Sequence, residues 1–208
     1  MSDYDFTLKF IIVGEASVGK TVLTKRYIKN EFLSDTLPTI GNDYFKMEKD
    51  IGEFKVLIQF WDTAGQERYK SVAKKIYEDA RAIMIVYDIT NKMSFMKVDE
   101  WFKSVNNTAK EGATKILVGN KIDLQSDRQV SAEEGKDKAL ALGMLFMETS
   151  AKTNEGGCVN SAFDQIIAIV SKEMIKEIEE ERKKERESTF QSIIKIEGAN
   201  ESESKSCC

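Results

Sequence analysis

Eight consecutive residues constrain this chain more than anything else in it: Gly14-Glu15-Ala16-Ser17-Val18-Gly19-Lys20-Thr21. They fit the pattern G-x-x-x-x-G-K-[ST], and they lie between an apolar run, Thr7 to Val13, and a segment of helical pattern that begins after Gly19. In that setting the backbone turns so that successive N–H groups converge on a phosphate, and the first turn of the helix adds its dipole. Lys20 can then bridge neighbouring phosphates, and the Thr21 hydroxyl can reach a magnesium ion. The plain alternative is a tight strand-to-helix connection with no chemistry. The correct flanking pattern argues against it.

The rest of the chain continues the alternation. Short runs rich in Val, Ile, Leu and aromatic residues recur at Val56–Trp61, Ala82–Tyr87, Lys115–Gly119 and Leu145–Glu148, separated by helical patterns at Phe95–Ala109, Ser131–Leu142 and Val159–Glu187. Strand alternating with helix predicts an α/β domain with a largely parallel sheet and helices on both faces. Phe45–Asp50 and Glu53–Phe60, separated by Ile51-Gly52, read as an antiparallel hairpin, which makes six strands with one antiparallel edge strand. The last helix carries an apolar stripe at Val159, Phe163, Ile166, Ile167, Val170, Met174 and Ile178, spaced for a buried face. Beyond it, Glu179 to Glu187 is charged throughout, and from Ser188 serine and glutamate predominate, predicting a disordered tail. The expected organisation is a domain over residues 1–180 and a flexible tail over 181–208.

Composition removes several functions. Thirty-one basic residues against 35 acidic ones give a net charge of −4, so nucleic acid is not an expected partner. There is no histidine, which rules out imidazole acid–base catalysis and histidine-bound metal. Three cysteines, Cys158 and the terminal pair Cys207 and Cys208, make neither a disulfide framework nor a structural zinc site. Asp3 and Asp5 stand where a signal peptide would be basic, and the longest apolar run, Ala82 to Tyr87, is six residues, far below the roughly 20 needed to cross a bilayer. A cytosolic, non-spanning chain is expected.

Further candidates follow the phosphate loop in order. Asp62 ends an apolar strand, where a carboxylate can hold a water on the same magnesium ion. Gly65 offers a backbone N–H to a γ-phosphate. Gln66 carries an amide that can orient an attacking water, although it is too weak a base to deprotonate it beforehand. Thr39 lies in a segment without helix or strand pattern; it either adds a hydroxyl to the metal shell or merely sits in a loop fixed by Pro38. Asn120-Lys121-Ile122-Asp123 follows another apolar strand, at the strand end where α/β proteins bind ligands. One carboxylate at Asp123 can accept both N1–H and N2–H₂ of guanine, a donor pair that adenine lacks. Asn120 either bonds the base or ties this loop to the phosphate loop, and the stem of Lys121 can cover a ring face. In Ser150-Ala151-Lys152 the N–H of Ala151 would reach the guanine O6, while Phe32 can pack on the base from the far side.

With these stretches assembled, the chain resembles the small guanosine triphosphatases of the Ras superfamily, specifically the Rab family. The resemblance covers about Leu8 to Ile178 and the Cys-Cys end, and Trp61-Asp62-Thr63-Ala64-Gly65-Gln66-Glu67-Arg68-Tyr69 and Thr39-Ile40-Gly41 carry it most strongly. It implies a P-loop GTPase domain that cycles between GTP and GDP, hydrolyses GTP with Mg²⁺, and recruits effectors to membranes in vesicle-mediated transport. By the same resemblance, nucleotide contacts come from Gly14, Ala16 to Val22, Phe32, Ser34, Pro38, Thr39, Gly65, Asn120, Lys121, Asp123, Leu124 and Ser150 to Lys152. Thr21 and Thr39 would ligate Mg²⁺, with Asp62 behind a water, and Gln66 and Lys20 would be catalytic. Residues of about 34–44 and 64–80 would be the two switches, with effectors bound through residues 34–80.

The resemblance also implies an exchange factor, a GTPase-activating protein, a prenyl-transfer escort and a lipid-shielding dissociation inhibitor. Cys207 and Cys208 would be prenylated, placing the protein on the cytoplasmic face of an internal membrane or the plasma membrane, with a soluble cytosolic pool. From Thr189 onward there are two lysines against three glutamates, so the lipids rather than tail charge would supply the attachment. The chain departs from the family at Asn42-Asp43-Tyr44, at Ile76-Tyr77-Glu78-Asp79-Ala80 and at Ala16, where a side chain can crowd an activator's residue and slow basal hydrolysis. A hydrolysis-deficient, nucleotide-dependent scaffold is the alternative those departures suggest. A nucleotide kinase or ATPase lacks support, because no lid or arginine-rich substrate site is visible. An apolar surface around Trp61 and Tyr77 either changes exposure with the switches or is plain core.

Overall fold

A computed structural model describes the backbone of residues 3–32, 42–63 and 75–204. The chain divides into two compact units, Met1–Val170 and Ser171 onward. The first unit is built on a six-stranded sheet of order β2-β3-β1-β4-β5-β6. Its strands are β1 (Phe6–Val13), β2 (Asn42–Ile51), β3 (Phe54–Thr63), β4 (Ala82–Asp88), β5 (Thr114–Asn120) and β6 (Leu145–Thr149). All pairings are parallel except β2 with β3. All seven residues of β4 are buried, as a central strand covered on both faces requires.

Alternation along β1 sorts the core into two layers. Ile11 and Val13 join Ile83, Ile85 and Tyr87 under α2 (Lys92–Met96), α3 (Val98–Asn106) and α4 (Ala132–Ala141), whose Phe95, Val98, Trp101, Val105 and Ala139 complete that layer. On the opposite face Phe10 stacks on Phe163 at 5.3 Å, and Tyr27 of α1 (Lys20–Lys29) stacks on the same ring at 4.5 Å. Phe163 belongs to α5 (Cys158–Ser204), and its predicted stripe is buried at Val159, Phe163, Ile166, Ile167 and Val170 within the first unit.

Two local expectations are corrected. The hairpin turn is Gly52-Glu53, because Ile51 pairs with Phe54; Gly52 has φ 63°, the left-handed conformation that a two-residue hairpin loop demands. The helical pattern over Phe95–Ala109 is two helices parted at Lys97. Phe95, Val98, Trp101 and Val105 stay buried across the break, so periodicity could not detect it. In the second unit helical backbone continues from Ser171 to Ser204. Side chains over 179–189 are exposed there, and the run is rich in Glu, Lys and Arg, which favour helix without needing a partner face. Among the described residues no helix is long and apolar enough to cross a membrane.

Candidate functional site

The phosphate loop takes its shape from three left-handed residues, Gly14 (φ 140°), Ser17 (φ 63°) and Gly19 (φ 98°). The two glycines are needed for space as well as for φ. A Cβ on Gly14 would collide with the Val86 carbonyl of β4, and one on Gly19 would collide with the Asn120 amide. The first glycine therefore lets the loop lie on the central strand, and the second lets it meet the β5 motif.

Lys20 opens α1 and is buried, its Nζ donating to the carbonyls of Gly14 at 2.9 Å and Glu15 at 2.8 Å. Burial pulls its pKa down to about 8, opposed by the carboxylates of Asp62 and Glu15. The next residue, Thr21, donates its hydroxyl to Asp62 Oδ2, and Asp62 is fully buried near the end of β3. A hydroxyl and a buried carboxylate are hard oxygen donors, so these residues fit Mg²⁺.

Asn120 ends β5 and is 1% exposed. Its Nδ2 donates to the Val18 carbonyl at 2.9 Å, and its Oδ1 accepts from Thr149 Oγ1 at 3.2 Å and from Ala151 N at 3.3 Å. Of the two roles left open for it, tying the loops together is the one seen. Lys121 follows with φ 72°, uncommon for a side chain of its kind, and its Nζ pairs with Asp88 Oδ2 at 2.6 Å. Asp123 accepts from Ser150 Oγ at 2.6 Å, and Ser150 Oγ in turn accepts from Thr153 N at 3.0 Å, so the carboxylate is aimed by a buried hydroxyl. Leu124 and Phe32, each 37% exposed, and the exposed Lys152 lie open to solvent.

The predicted residues Ser34, Pro38, Thr39, Gly65, Gln66, Cys207 and Cys208 lie outside the described residues, as does most of both switches. Tyr77 is buried, and Trp61 is partly buried against the core cluster.

Sequence reasoning missed two supporting contacts. Asp88 accepts from Thr90 N at 2.8 Å and Thr90 Oγ1 at 2.7 Å besides pairing with Lys121. Like Asp62 it is a carboxylate at the C-terminal end of an apolar strand, and that shared position was the signal available. Glu15 Oε1 accepts from Trp101 Nε1 at 3.0 Å, which anchors the loop to α3. No sequence spacing announces a contact of that range.

Comparison with known proteins agrees with this arrangement. A model of the Ras family matches residues 9–172. The chain is 40% identical to the mouse Ras-related protein Rab-15, over 85% of this chain and 82% of that protein. It is 37% identical to Candida albicans Ras-related protein SEC4 (84% and 82%) and 38% identical to the Schizosaccharomyces pombe GTP-binding protein ypt2 (83% and 85%). The chain therefore belongs to the Ras superfamily, and within it to the Rab family of small GTPases, the GTP-hydrolysing switches of vesicle-mediated transport.

Proposed function

We propose that this Rab-family member runs its GTP/GDP cycle in the single cleft that joins Gly14–Thr21 to Asn120–Asp123 and Ser150–Lys152. The observation that carries the reading is the buried Asn120 side chain, bonded at once to Val18 of the phosphate loop and to Ala151 of the base loop. Backbone N–H groups of the loop grip the phosphates, and Lys20 exchanges its two loop carbonyls for phosphate oxygens. Thr21 and Thr39, with Asp62 through a water, would hold Mg²⁺, which supplies charge neutralisation at the β- and γ-phosphates when bound. Gln66 orients the attacking water, and the Gly65 N–H and Thr39 engage the γ-phosphate, so both switches order with triphosphate and release on hydrolysis. Asp123 reads N1–H and N2–H₂, the Ala151 N–H reads O6, and Lys121 and Phe32 cover the ring.

An exchange factor and an activating protein drive the cycle, and effectors act through residues 34–80. Prenyl groups on Cys207 and Cys208, placed by an escort and shielded by a dissociation inhibitor, hold the protein on the cytoplasmic face of an internal membrane or the plasma membrane. Displacement of labelled GDP by GTP and by ATP tests the site. ATP should compete poorly, and Asp123→Asn should weaken GTP; equal competition by ATP would overturn the guanine assignment.

A further inference from the structure

Arg26, on the last turn of α1, takes no part in the reading above, yet its guanidinium meets three pieces of the base site. Nε donates to the Ala151 carbonyl at 2.8 Å and Nη2 to the Lys152 carbonyl at 2.9 Å. The guanidinium carbon stands 5.8 Å from the centroid of the Phe32 ring. Nη1 donates to Asn30 O at 3.0 Å and Asn30 Oδ1 at 3.3 Å. Asn30 is itself the left-handed C-cap of α1, its N–H donating to the Arg26 carbonyl at 2.9 Å. The fork is thus braced through Nη1 by the end of its own helix, and its Nε–Nη2 edge pins two successive peptide planes of a loop 125 residues away in sequence.

Those two planes directly follow the Ala151 N–H. In the structure that N–H makes only a long bond, 3.3 Å, to Asn120 Oδ1, so its direction is set mainly by the backbone that Arg26 holds. A planar guanidinium can satisfy two adjacent carbonyls and face a ring at the same time, whereas an ammonium cannot. We propose that Arg26 is a specificity-determining positioning residue. It holds the Ala151–Lys152 backbone and the Phe32 ring so that the Ala151 N–H meets the O6 edge of guanine. The inference rests on the guanine-site reading and adds to it the residue that sets O6 selectivity.

Two analogues separate the edges of the base. 6-Thioguanosine diphosphate differs from GDP only in carrying sulfur at position 6, a weaker acceptor on a longer bond. Inosine diphosphate lacks only the 2-amino group, which Asp123 reads. Dissociation constants for GDP and both analogues are measured on the full chain with Mg²⁺, for wild type, Arg26→Ala and Arg26→Lys, alongside thermal melts. The wild type should disfavour both analogues. In Arg26→Ala the penalty for 6-thioguanosine diphosphate should shrink by about fivefold, the worth of one ordinary hydrogen bond, while the penalty for inosine diphosphate stays put. Arg26→Lys should show the same split at smaller size, and it carries the test if the alanine variant fails to fold. A selective wild type whose two penalties move together, or not at all, overturns this inference alone. A wild type indifferent to all three nucleotides overturns the guanine-site reading and the inference with it.

Discussion

Asn120→Asp replaces one atom group in a buried side chain and leaves its shape unchanged. The Oδ1 side keeps its acceptor for Thr149 and Ala151, so the change falls on the bond from Nδ2 to the Val18 carbonyl, now 2.9 Å, and brings a carboxylate charge to it. An oxygen in place of that amide turns a donor–acceptor pair into two facing acceptors at a site 1% exposed. Losing the bond costs about 1 kcal/mol, and leaving the buried Val18 carbonyl unsatisfied costs about 1–3 kcal/mol more, roughly 2–4 kcal/mol together. The chain escapes this cost by letting the phosphate loop move off β5, which lowers the fraction competent to bind. At about 1.4 kcal/mol per tenfold, GDP affinity should fall by about 30- to 700-fold. Stopped-flow release of fluorescent GDP, with titrations for affinity, reads the change. An affinity and release rate within about threefold of wild type, in a variant that melts normally, would show that the loop and the base motif are not coupled through this bond.

Two further outcomes follow from neighbouring contacts. Asp88→Asn keeps the shape but removes the charge facing Lys121, whose side chain is 32% exposed; GDP release should quicken by about three- to tenfold, an ion pair discounted for solvent. In a double-mutant cycle Asp88→Asn should add little to Lys121→Ala, and simple additivity would refute the pairing. Glu134 is pulled down to about 2, first by its bond from Lys92, then by Ser131 N and Oγ in the capping box of α4. Because the folded value lies below the unfolded one of roughly 4.3, its contribution is present above that pH and is lost as pH falls toward 2. Urea unfolding of Glu134→Gln should therefore show a flatter pH dependence between about 5 and 2 and an unchanged one above 6; identical profiles would remove Glu134 as a source of acid lability.

How far the sequence could be read depended on whether a feature is local. The strands announced themselves because β1, β4 and β5 are apolar runs closed by Gly14, Asp88 and Asn120, and a buried parallel strand needs little else. The phosphate and guanine motifs were legible because each packs its chemistry into three to eight consecutive residues. The sequence could not say why the loop carries glycine at position 19, since the reason is an amide 101 residues away. Asp88, Trp101 and Arg26 went unnoticed for the same cause: each acts on a segment it reaches only through the fold. The break at Lys97 hid because the buried residues on either side keep helical phase, and the turn at Gly52-Glu53 was misplaced by one residue because both candidate pairs contain the same glycine.

The interlock of Gly19 with Asn120 bears on how a nucleotide leaves. A regulator that pries the glycine turn away from β5 withdraws the prop beneath Asn120, and with it the grip on the purine at the remote end of the pocket. Ejection by leverage needs a foothold at one end only, so a partner that never touches the base can still unseat it.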